Sequence, residues 1–255
     1  MPDVWCKTMI RLLVSAVAAL PLIGAAAAGP REDCYQAFLE SSAVLAWAYP
    51  GAIRPYPNRG RAIEACSEVL RSAPSDDKAY FIRGQAYAWG FNYDQAIADY
   101  TRVVEINSGN ANPWSPRVII YLNRGIAYQY NGDQSRGLAD INKAIELNPD
   151  YAPAYYIRGV TYEVADDGDR TQNYSRAFAD YTKAIESDPN YALAYIARSG
   201  LHRKTGAGDR SLSDLNKAGD IITAGAINPR YVDILTNWFS DYLPKDDSPL
   251  AGEDK

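Results

Sequence analysis

The chain has 255 residues, with 26 Lys and Arg against 31 Asp and Glu, and a formal charge of −5. That acidic balance opposes a nucleic-acid partner. One His, three Cys and no CxxC pair leave no redox or metal-binding motif, so no cofactor or metal is expected.

At the N-terminus Lys7 and Arg11 lead into an apolar run, Leu12 to Ala28, that closes in Ala-rich sequence. This is the layout of a signal peptide over residues 1–28, with Ala26 and Ala28 as the small residues at the cut and Met9 as an alternative start. An uncleaved anchor is the rival reading, disfavoured because the run is only about 17 residues and rich in Ala. A lipoprotein anchor is disfavoured too, since no Cys stands at the cleavage point. The expected location is periplasmic or secreted, with no stable membrane insertion after cleavage. Asp3, Lys7 and Arg11 leave together, one net positive charge, so the mature chain stands at −6.

Residues 29–76 keep an even pair of cysteines, Cys34 and Cys66, as an exported chain would. Between them Pro50, Pro55 and Pro57 exclude a helix, and this stretch reads either as an ordered contact loop or as a tolerated surface insertion.

From residue 77 the chain repeats itself, which decides the architecture. A Tyr followed three residues later by Arg-Gly or Arg-Ser begins at Tyr80, Tyr121, Tyr155 and Tyr195. Each is followed by a block carrying Asp and a large residue: Asp99-Tyr100, Asp140-Ile141, Asp180-Tyr181 and Asp214-Leu215. Counted in 34-residue units, small residues fall at position 8 (Gly84, Gly125, Gly159, Ser199) and position 20 (Ala96, Gly137, Ala177, Ser211), while Pro149 and Pro189 fall at position 32. This pattern resembles the tetratricopeptide repeat, with repeats at 77–110, 118–151, 152–191 and 192–225. The resemblance implies an all-α fold: a right-handed superhelix of stacked antiparallel helical hairpins, closed by a C-terminal capping helix. Helical periodicity agrees, because positions 4, 8 and 11 share one helix face and positions 20, 24 and 27 another. A lone hairpin cannot bury its apolar face, so stability comes from stacking.

In this register Ala62 to Val69 matches a second helix, with Cys66 at position 24 and Pro74 at 32, so residues 29–76 form a degenerate first hairpin. Placing Cys34 at position 4 sets it opposite Cys66, and a Cys34–Cys66 disulfide is implied, adding about 3 to 4 kcal/mol in the chain-entropy model. Two buried free thiols are the alternative. Position 7 is Arg83, Arg124, Arg158 and Arg198, and position 23 is Asp99, Asp140, Asp180 and Asp214. An arginine row alone suggests an anion site; a matching Asp across each hairpin favours structural ion pairs.

Residues 111–117, with Trp114, lie between repeats and carry the same two readings as the proline loop; Ser115 and Pro116 are set to begin a helix. The insertion from Asp166 to Ser175 holds three carboxylates beside Gly168 but lacks the ligand spacing of a calcium loop. Its Asn173-Tyr174-Ser175 is also a glycosylation acceptor triplet. Beyond the repeats, Tyr231, Ile234, Leu235, Trp238 and Tyr242 share a face of the expected capping helix at 226–244, and residues 245–255 are expected to be disordered.

The resemblance places partner binding on the concave face, built from positions 2, 5, 9, 12 and 13 of the first helices. The groove residues so chosen are Phe81, Gln85, Trp89, Leu122, Ile126, Tyr130, Tyr156, Val160 and Ile196, mostly apolar or aromatic. The Lys and Asn of the family's carboxylate clamp are absent at positions 5 and 9, and only Asn123 stands at position 6, so no asparagine ladder exists. The expectation is a non-catalytic scaffold or adaptor that holds a peptide or helix of a protein partner, as a monomer or homodimer. One alternative is self-association through the groove. Another is a hydrolase using Glu163 and the acidic loop as acid and base. His202, the single His, sits where other repeats place Tyr and reads as core.

Overall fold

A computed structural model describes residues 29–40, 59–109, 116–165 and 168–224. The expected signal peptide, the proline loop, Trp114, the capping helix and the C-terminal tail lie outside the described residues, as do Asp166 and Asp167 of the acidic insertion.

The described residues form helices joined by turns. These are α1 (Pro30–Glu40), α2 (Arg59–Ser72), α3 (Asp77–Trp89), α4 (Tyr93–Ile106), α5 (Pro116–Tyr130), α6 (Gln134–Leu147), α7 (Ala152–Val164), α8 (Arg170–Ser187), α9 (Ala192–Lys204) and α10 (Gly208–Ala224). Odd and even helices pair as hairpins, and each even helix packs on the next odd one, which makes a solenoid. Odd helices also meet each other, α1 with α3 and α7 with α9, so they form the inner layer of the curve.

Close approach within each hairpin depends on the small residues at positions 8 and 20. A Cβ on Gly125 would stand 2.9 Å from the Gly137 carbonyl oxygen, and one on Gly159 would stand 2.6 Å from the Tyr181 ring. The last hairpin instead uses Ser199 and Ser211, whose hydroxyls lie 2.8 Å apart, so the buried oxygens satisfy each other.

Between α1 and α2 the sulfurs of Cys34 and Cys66 are bonded and fully buried, 32 residues apart in sequence. Around them Asp76 caps α3 through the Ala79 amide at 2.9 Å and accepts from the Tyr35 hydroxyl at 2.8 Å. Arg31 reaches the same carboxylate at 3.0 Å, and Arg61 pairs with Asp33. The first hairpin is thus tied to the second by more than apolar packing.

The main core runs through the repeats, from Cys34, Tyr35 and Cys66 to Tyr151, Tyr155, Tyr191 and Ala194. Tyr100, Ile141 and Tyr181 at position 24 are buried against the following hairpin, whereas Leu215 of α10 is 47% exposed. His202 is buried with its ring 5.1 Å from Phe178, edge to face.

Candidate partner-binding groove

The four arginines of position 7 organise the wall behind the groove. Arg83 donates from Nε and Nη2 to Asp99 at 2.8 and 2.7 Å, and Arg124 does the same to Asp140 at 2.7 and 2.9 Å. Arg158 holds Asp180 at 2.9 and 2.7 Å, and Arg198 holds Asp214 at 2.9 and 2.7 Å. These are two-pronged, charge-assisted bonds on carboxylates that are themselves buried.

The remaining prong of each fork reaches backwards to the preceding hairpin. Nη1 of Arg83, Arg124, Arg158 and Arg198 donates to Ser67, Thr101, Asn142 and Thr182 at 3.0, 3.1, 2.8 and 3.3 Å. These acceptors share position 25, two residues after each Asp, and each lies one hairpin upstream of its arginine. Sequence reasoning missed them, although a Ser, Thr or Asn recurring at that offset was the available signal. Tyr80, Tyr121, Tyr155 and Tyr195 sit within 5.4 to 5.7 Å of the guanidiniums. The Asp99 bond holds the Arg83 guanidinium above its ordinary value, while burial pushes the Asp99 carboxyl up against the pull of Arg83. With every prong committed to the protein, this row offers no site for an anion.

Along the inner face the groove residues divide. Phe81, Gln85 and Leu122 are buried, which corrects their assignment to an open surface. Phe81 packs into the main core with its ring 6.1 Å from Tyr100, and Leu122 joins the same cluster. Position 5 in the first two full repeats therefore serves packing between helices. Trp89, Ile126, Tyr156 and Val160 are half-buried. Tyr130 and Ile196 are exposed at 69% and 41%, and Val164, at position 13 of the third repeat, is exposed at 67%. The accessible apolar surface thus runs over α5, α7 and α9.

Glu163 lies on this face, but both of its oxygens are occupied. Oε2 accepts from the Tyr181 hydroxyl at 2.6 Å and Oε1 from Lys204 Nζ at 2.6 Å. Burial, then the bond to Glu163, pushes the Tyr181 phenol far up, and burial followed by the charge of Glu163 raises Tyr156. A carboxylate so engaged is poorly suited to general acid or base work. Among the described residues no group of three or more metal-binding side chains converges. Asn173 is buried in α8, so its triplet is closed to glycosylation.

The tetratricopeptide-repeat family matches residues 58–111 and again 118–151. No curated protein matches the chain in sequence. Among solved structures, MamA superposes with a TM-score of 0.51 at 23% identity, covering 66% of this chain and 91% of that one. MamA from Desulfovibrio magneticus RS-1, residues 41 to the end, gives 0.51 at 14% identity, covering 75% and 96%. At such identities the likeness concerns the fold alone. The first match includes α2, which places the degenerate hairpin's second helix in the same repeat pattern. Repeat sequence, hairpin stacking and these likenesses together make the chain a tetratricopeptide-repeat protein, built as an all-helical solenoid.

Proposed function

We propose that this protein is a non-catalytic scaffold that holds a peptide or helix of a protein partner against the α7 and α9 side of its inner face. The observation that carries this reading is the exposure of Tyr130, Val164 and Ile196 on first helices. Exposed apolar side chains that share a face support a docking role. The commitment of Glu163 to Tyr181 and Lys204 weighs against the hydrolase alternative. The signal-like N-terminus and the Cys34–Cys66 bond support action in a periplasmic or secreted setting.

A photoreactive residue at Val164, in the cell that makes the protein, tests the proposal. The expected result is one discrete foreign adduct that is lost when Ile196 is replaced by Asp. Adducts only to a second copy of the chain would move the reading to self-association, and no adduct at all would refute the groove.

A further inference from the structure

The turn between α3 and α4 carries two local costs at one residue. Phe91 has φ 61°, and its side chain is 78% exposed. Position 15 of the second and fourth full repeats is Gly132 at φ 85° and Gly206 at φ 81°. All three turns close with the same backbone bond, from the following amide to the carbonyl five residues back: Asn92 to Tyr87, Asp133 to Tyr128, and Ala207 to His202. The geometry is a helix end that glycine satisfies without strain. A phenyl ring there strains the backbone and leaves apolar surface in water, and neither serves the fold.

The ring is not isolated. Phe91 stands edge-on to Tyr93 at 6.4 Å, and Tyr93 stacks on Tyr130 at 5.5 Å with 13° between planes. Asn131 donates to Asp94 at 2.8 Å, which pins the two turns together and fixes this ridge. Neither the Tyr93 nor the Tyr130 hydroxyl has a hydrogen-bond partner among the described residues, so two donors on the ridge are free.

We infer that the Phe91–Tyr93–Tyr130 ridge is a docking site for an extended, proline-rich segment of a protein partner. The inference rests on the scaffold reading and gives the chemistry of its partner. A polyproline II strand has carbonyls with no internal bonds, rises about 3.1 Å per residue, and so repeats a side at about 6 Å. Free phenol donors suit those carbonyls, and ring steps of 6.4 and 5.5 Å suit that repeat. Burial and the neighbouring Tyr130 phenol raise Tyr93, which keeps it a donor through neutral and mildly alkaline pH.

Calorimetric titration of the purified protein with a capped polyproline peptide of about ten residues tests this. Saturable binding is expected, weakened about tenfold by Tyr130→Ala and by Phe91→Gly. Phe91→Gly should melt higher than the parent, so its loss of binding cannot arise from unfolding. Absence of binding, binding indifferent to Phe91→Gly, or preference for a neutral oligosaccharide over the peptide would overturn the inference. A foreign adduct at Val164 without peptide binding would leave the scaffold reading standing and remove this one.

Discussion

Arg158 shows how much one side chain carries in this solenoid. Two prongs hold buried Asp180 and the third crosses to Asn142 of the preceding hairpin, so truncation strands a buried carboxylate and unlinks two repeats. Arg158→Ala should lower unfolding free energy by about 3 kcal/mol in urea titration. Joint replacement of Arg158 and Asp180 by Leu and Met should recover much of that loss. The Arg–Asp spacing was legible because both residues recur at fixed positions. Asn142 and its equivalents were not read, since Ser, Thr and Asn are common in any helix and only the geometry reveals their shared role. Buried tyrosines give a second test. Tyr151, Tyr156 and Tyr181 are raised by burial, so above about pH 10 an unfolded chain releases phenol protons that the folded one retains. Stability is therefore unaffected by these groups below pH 10 and falls as pH rises beyond it. Tyr181→Phe should make that alkaline slope shallower by about 1.4 kcal/mol per pH unit, measured by urea unfolding between pH 9 and 12.

At the scale of elements, the N-terminal hairpin departs most from the repeat pattern and is secured by other means. Cys34 and Cys66 join α1 to α2, while Ser67 accepts the backward prong of Arg83 as a full repeat would. Replacing both cysteines by Ala should cost about 3 kcal/mol at this loop length, and hydrogen exchange should show α1 and α2 opening before α5 to α8. Helix positions were readable because small residues, rings and prolines recur at fixed offsets. Groove exposure was less readable. Phe81 and Leu122 occupy the same repeat position as Ile196, yet the first two are buried and the last is open. Position in a repeat sets the direction of a side chain; whether neighbours cover it depends on packing that the sequence pattern does not encode.

The molecule as a whole divides its surfaces by task. Arginine forks and position-24 side chains join hairpins along the stack, and the apolar residues left over on α5, α7 and α9 face outward from the inner layer. The proposed role as a scaffold follows from that remainder. Its most direct test takes the partner captured at Val164 and measures its affinity for the parent protein and for Ile196→Asp. Ile196 is already 41% exposed, so the substitution should leave the melting temperature nearly unchanged. The account predicts binding weakened by at least about tenfold, because a charge would be buried against an apolar ligand surface. Unchanged affinity with an intact fold would show that the partner sits elsewhere and would contradict the groove as the functional site.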